Sequence, residues 1–105
     1  MKARLRQSSQ VARYLAARAP EVRKALRAGL KRLTAWNGRP GPPRIRFLED
    51  DLTGYVRLRV GSHRVIFRET SVAGERQILC VFAGPRSTVY EAFAELVLDE
   101  LSARE

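Results

Sequence analysis

The chain has one cysteine (Cys80), one histidine (His63) and, in its first 48 residues, one acidic side chain (Glu21). A single thiol cannot close a disulfide within the chain, and one Cys with one His leaves too few ligands for a structural zinc site. No apolar run approaches the roughly 20 residues needed to cross a bilayer. The opening "MKARLRQSSQ" has no apolar signal core. These shortages point to a cytoplasmic protein without a bound metal. Internal repeats and low-complexity tracts are absent too.

Arginine is what the sequence has in quantity. It supplies 17 of the 20 basic residues, which stand against 11 acids for a net charge of +9 and a pI near 11.0. The charge is uneven: residues 1–48 carry 13 Lys/Arg and net +12, whereas residues 49–105 carry 7 against 10 acids and net −3. A basic half suits a polyanion, because each neutralised phosphate releases counterions. Acidic proteins and anionic membrane surfaces are the other partners such a charge fits. With 45% apolar and 30% charged residues in 105, the composition is that of a single soluble domain, 1–105.

"MKARLRQ" alternates and predicts a first strand. Ser8 or Ser9 can cap a helix running to about Arg18, with Val11 and Leu15 on one face. "PEVRKALRAGLKRL" predicts a second helix. Pro20 suits its first turn, Glu21 its positive dipole end, and Val22, Leu26, Leu30 and Leu33 form its apolar stripe. The opposite face carries Arg23, Lys24, Arg27, Lys31 and Arg32. The short link between these helices implies an antiparallel hairpin. "NGRPGPP", residues 37–43, reads as a loop.

"YVRLRV" and "HRVIFRE" alternate strictly, and "QILCVFA" is a continuous apolar run suited to a strand buried on both faces. "GERQ" or "VAGE" supplies the turn between the last two strands. Thr88 with Glu91 is a capping-box pattern, opening a helix with the stripe Val89, Phe93, Leu96, Val97 and Leu101. The order β-α-α-β-β-β-α is that of an α+β domain. Its N-terminal helical hairpin packs on a small twisted antiparallel sheet, and a C-terminal helix completes it.

Gly61-Ser62 separates two strands, and Gly in first place matches a turn that needs a positive φ there. That sets Val60 opposite His63, Arg59 opposite Arg64, Leu58 opposite Val65, Arg57 opposite Ile66, Val56 opposite Phe67 and Tyr55 opposite Arg68. Alternation sends Val56, Leu58, Val60, His63, Val65 and Phe67 to the core. Tyr55, Arg57, Arg59, Arg64, Ile66 and Arg68 share the other face. Like charges across a sheet are destabilising. Arginine, though, forms forked hydrogen bonds to phosphate, so the ladder reads as a phosphate-binding floor. "GPRSTVY" adds Arg86 in a turn and Tyr90 in the first turn of the last helix, where free N–H groups favour an anion. His63 titrates near neutrality but faces the core.

"LEDDLTGYVRLRVGSHRVIFRE" and "ILCVFAGPRSTVYEAF", preceded by the basic helical hairpin, resemble the RelE/ParE superfamily of toxins from type II toxin–antitoxin systems, and its RelE-like branch in particular. The pair "RLRVGSHRVIF" and "PRSTVY" at their mutual distance is the most specific part. The resemblance implies an mRNA interferase: a ribosome-dependent endoribonuclease that inhibits translation, has no cofactor and is neutralised by a cognate antitoxin. It implies catalytic roles for Arg57, Arg59, Arg64, Arg86 and Tyr90. Contacts to RNA or ribosome would fall to Arg23, Lys24, Arg27, Lys31, Arg32 and Arg68. A ParE-like gyrase inhibitor without nuclease activity, or a toxin-derived binding module, are the alternatives. Some RelE proteins carry lysines where Arg57 and Arg59 stand, one of them implicated as general base. Other relatives use a Glu base, and no Glu lies on the strand before this turn. Arginine, which stays protonated across the accessible pH range, stabilises charge well and accepts protons poorly. Tyr90 can stack on a base or take part in proton transfer, and the general base is left unassigned.

Overall fold

The Gly61-Ser62 turn forms as the alternation requires, and its register organises the rest of the sheet. A computed structural model describes residues 3–41 and 44–103, with side chains to residue 100. It contains β1 (Arg4–Gln7), α1 (Ser9–Ala16), α2 (Pro20–Leu33), β2 (Ile45–Phe47), β3 (Val56–Val60), β4 (His63–Val72), β5 (Glu75–Pro85) and α3 (Val89–Ala103). A 3-10 turn at Asp50–Leu52 joins β2 to β3. The α+β class and the helix–strand succession agree with the sequence reading.

Two features differ from it. The sheet has five strands in the order β1-β5-β4-β3-β2, because "IRF" at 45–47 adds an edge strand. Three residues are too few to display an alternation, but pairing Ile45 with Leu58 and Phe47 with Val56 extends the apolar face. The sheet is also mixed, not wholly antiparallel. The β2-β3-β4-β5 meander leaves one side of β5 unpaired, and β1 docks there in parallel, Arg4 opposite Gln77 through Gln7 opposite Cys80. Where β1 ends, side chains take over its pairing. Ser8 Oγ donates to the Val81 carbonyl (3.0 Å), and the Gln10 amide both donates to Ala83 O (2.7 Å) and accepts from Ala83 N (2.8 Å). Buried backbone groups are thereby satisfied without a strand.

The helices fall on opposite faces. Ser8 caps α1 through a hydrogen bond from Val11 N, and Pro20 opens α2. Both helices lay their stripes (Val11 and Leu15; Leu26, Leu30 and Leu33) on Val56, Leu58, Val65, Phe67, Ile78 and Cys80. On the other face α3 buries Val89 and Phe93 against Ile66, with Leu48, Leu52, Tyr55 and Phe82 around them. A bulge makes this second core wide enough. Ile66 pairs with Phe82 but Phe67 with Cys80, leaving Val81 as an extra residue in β5. Such an insertion re-aims neighbouring side chains, here bringing Val81 as well as Phe82 into the α3-side core. The stripe position Leu101 lies outside the described side chains.

Candidate nucleic-acid interface

The register of β3 and β4 is the one the turn chemistry demands: Val60 opposite His63, Arg59 opposite Arg64, Arg57 opposite Ile66. Gly61 has φ 58°, so the positive dihedral falls at the first turn position. Arg57, Arg59 and Arg64 therefore share the α3 face.

That face is not the open cationic floor expected of it. Val89 and Phe93 cover Ile66, which is fully buried and divides the arginines. Arg57, Arg59 and Arg64 lie toward the hairpin tip. Arg68 lies beyond Ile66, in a separate 360 Å³ cleft with Tyr55, Phe93 and Glu100.

Arg64 is the centre of the tip cluster and is only 4% exposed. Its guanidinium Nη1 donates to the carbonyls of Gly61 and His63, each at 2.9 Å, which locks the side chain to its own turn. On one side Arg64 pairs with Arg59, on the other with Gly84. Gly84 has a steric role. A Cβ there would stand 3.2 Å from Val89 Cγ2, so glycine lets the start of α3 close over the cluster.

Arg86 reaches the same place through the backbone. Its N–H donates to Ser62 O at 2.8 Å, tying the β5–α3 loop to the β3–β4 turn. Burial lowers the Arg64 pKa from its usual value, and the charges of Arg57, Arg59 and Arg86 push the same way, whereas Tyr90 raises it. The other four residues assigned by resemblance thus all act on Arg64. A buried guanidinium pressed by three more is a site short of negative charge, the arrangement that suits an anion such as phosphate.

The edge strand adds residues that the sequence reading missed. Arg46 pairs directly with Arg57, and Arg59 N donates to Arg44 O at 2.7 Å. Arg46, Phe47, Leu48, Glu49, Arg57 and Tyr90 line an open pocket of about 490 Å³ beside the cluster. The alternation in "RIRF" was the signal for Arg44 and Arg46, hidden by its brevity and by the turn-forming residues before it.

His63 stands on the opposite face, as its register requires. Its Nδ1 lies 2.7 Å from the Tyr14 hydroxyl of α1, and the Arg18 guanidinium sits 4.2 Å above the Tyr14 ring. The basic face of α2 is also remote from the cluster. Lys24, Arg27, Lys31 and Arg32 are exposed on the layer across the sheet. Arg23 is partly used within the fold, donating to the Ala16 and Arg18 carbonyls at the end of α1. Among the described residues no group of His, Cys, Asp and Glu could hold a metal ion.

A mixed five-stranded sheet with a helical pair on one face and a single helix on the other is a fold shared with solved RelE- and ParE-type toxin structures. The chain is similar to one in the RelBE2 toxin–antitoxin complex from Mycobacterium tuberculosis, with 17% identity, 82% of this chain and 100% of that chain covered, and a TM-score of 0.66. It is similar to one in the archaeal RelE–RelB complex from Pyrococcus horikoshii OT3 at 21% identity, 82% and 97% coverage and a TM-score of 0.62. The YoeB/ParE toxin from Agrobacterium tumefaciens matches at 15% identity, 78% and 97% coverage and a TM-score of 0.61. No family model and no curated protein matches the chain.

Proposed function

We propose that this chain is a single-domain toxin of a type II toxin–antitoxin system, acting in the cytoplasm as a ribosome-dependent mRNA endonuclease. The observation that carries this reading is buried Arg64 held at the hairpin tip amid Arg57, Arg59, Arg86 and Tyr90. Cleavage proceeds by attack of an RNA 2′-OH on the adjacent phosphorus, giving a 2′,3′-cyclic phosphate. Arg64 and Arg86 neutralise the charge that builds on the non-bridging oxygens, and Arg57 and Arg59 position the flanking backbone. Tyr90 stacks on a base beside the scissile bond.

The surface cations Lys24, Arg27, Lys31 and Arg32, with Arg23 and Arg68, engage ribosomal RNA from outside the site. That division explains why the basic charge is spread over both faces of the sheet. A cognate antitoxin neutralises the toxin in a hetero-oligomer by masking the tip cluster.

Primer extension on mRNA from a translation reaction tests the reading. Added protein produces codon-positioned breaks that vanish with Arg64→Ala and with Arg86→Ala. Intact mRNA together with blocked DNA supercoiling would instead identify a gyrase inhibitor, and an effect on neither would leave a binding module.

A further inference from the structure

Three successive carbonyls of the β3–β4 turn hold the two arginines that the proposed reaction sets against the phosphate oxygens. Gly61 O and His63 O each accept from Arg64 Nη1 at 2.9 Å, and Ser62 O between them accepts from Arg86 N at 2.8 Å. Both arginines are therefore placed only as well as the turn is. Gly61 and Ser62 are exposed, and a turn at the end of a sheet is where a fold opens most easily.

The turn is fastened from the other side of the sheet. His63 Nδ1 meets the Tyr14 hydroxyl at 2.7 Å, and the two rings pack edge to face with centroids 5.8 Å apart. Tyr14 is itself held: Arg18 Nε donates to its carbonyl at 3.0 Å, and the Arg18 guanidinium lies over its ring. The helix that carries Tyr14 is pinned by buried Val11 and Leu15 and by the two hydrogen bonds between Gln10 and Ala83. So α1 grips both segments that converge on the site, the turn through Tyr14 and the strand leading to Arg86 through Gln10. A hydrogen bond adds modestly to stability, but its energy falls steeply with misalignment, which suits it to fixing a position.

We infer that Tyr14 and His63 are positioning residues for the cleavage reaction: their hydrogen bond fixes the 61–63 turn and, through its carbonyls, the aim of Arg64 and the position of Arg86. This rests on the endonuclease reading above. Neither side chain touches the RNA. Arg64 and Arg86 are arranged before the phosphate arrives, so the charge that builds on the non-bridging oxygens meets donors already in place. Loosening the turn lets both arginines drift, and a displacement of about 1 Å can cost about 10²-fold in rate.

Single-turnover cleavage of mRNA on programmed ribosomes, run below the unfolding range of every variant, tests the assignment. Tyr14→Phe removes the hydroxyl and keeps the ring. His63→Leu removes Nδ1, and His63→Asn returns a hydrogen-bonding group near its place. Tyr14→Phe lowers the rate constant at saturation about 10-fold while half-saturation moves less than about threefold. His63→Leu does the same, the double variant is no worse than either single one, and His63→Asn recovers most of the loss. Hydrogen exchange at the Arg86 amide is faster in Tyr14→Phe than in the wild type, a signature that does not depend on nuclease activity. Wild-type cleavage by Tyr14→Phe and His63→Leu with none by Arg64→Ala would overturn the positioning role and leave the nuclease standing. Losses that add in the double variant and are not recovered by His63→Asn would overturn it too, since they mark general loosening of the fold. Absence of cleavage by the wild-type protein would overturn both.

Discussion

The Tyr14 hydroxyl and the His63 ring nitrogen Nδ1 meet at 2.7 Å, joining α1 to the first residue of β4 on the side of the sheet away from the arginines. The same His63 gives its carbonyl to Arg64 Nη1. One residue thus ties the helical layer to the hairpin tip through its ring, and the tip to the buried guanidinium through its backbone.

The burial of His63 beside two arginines makes stability depend on pH. Burial lowers the His63 pKa from its usual value near 6.5, and the charges of Arg18 and Arg64 lower it further. Below about pH 6.5 the unfolded chain therefore binds more protons than the folded one. The stabilisation is present above that pH and is lost as pH falls through the folded-state value. Thermal unfolding from pH 8 to 5 is expected to show this decline, with a smaller slope in His63→Gln. An equal slope in the variant would assign the pH dependence to other groups.

Under the proposed endonuclease function, the two basic faces are expected to respond differently to truncation. Arg46→Ala, paired with Arg57 at the pocket, lowers the rate of cleavage about 10-fold, the effect of one charge-assisted hydrogen bond to phosphate. Lys31→Ala, exposed on the far layer, leaves the cleavage rate at saturation unchanged. It reduces the slope of log affinity for RNA against log salt by about 0.7. Single-turnover rates and a salt titration of binding separate the two.

Gly29 sets how closely α2 approaches the hairpin. A Cβ at this position would lie 2.9 Å from Val60 Cγ2 and 3.4 Å from Leu58 Cδ2. In an exposed helix, Gly→Ala gains about 1 kcal/mol. Here the gain is outweighed, because β-branched Val60 cannot swing away and overpacking costs about 1–3 kcal/mol. A net loss of about 1 kcal/mol lowers Tm by roughly 4–8 °C in a domain of this size. Differential scanning calorimetry of Gly29→Ala checks the sign; a raised Tm would mean the helix shifts freely.

Local chemistry made much of this molecule legible. Side-chain period in a strand is two, so Gly61-Ser62 settled the register and sent Arg57, Arg59 and Arg64 to one face and His63 to the other. Helical period did the same for the stripes of α1, α2 and the start of α3, and Ser8 caps α1 as its chemistry allows. What periodicity cannot carry is which layer covers a face and where distant edges meet. The parallel docking of β1 on β5, the three-residue strand with Arg46, and the bulge at Val81 all depend on partners far away in sequence. So does the burial of Arg64: the alternation made it a rung on an open ladder. Only the closure of α3 over Gly84 and the tie from Arg86 to Ser62 turned it into an enclosed charge beside a pocket edged by Glu49. The sequence decided which side chains could share a face, because that depends on neighbours along the chain; the tertiary structure decided which of them lost their water.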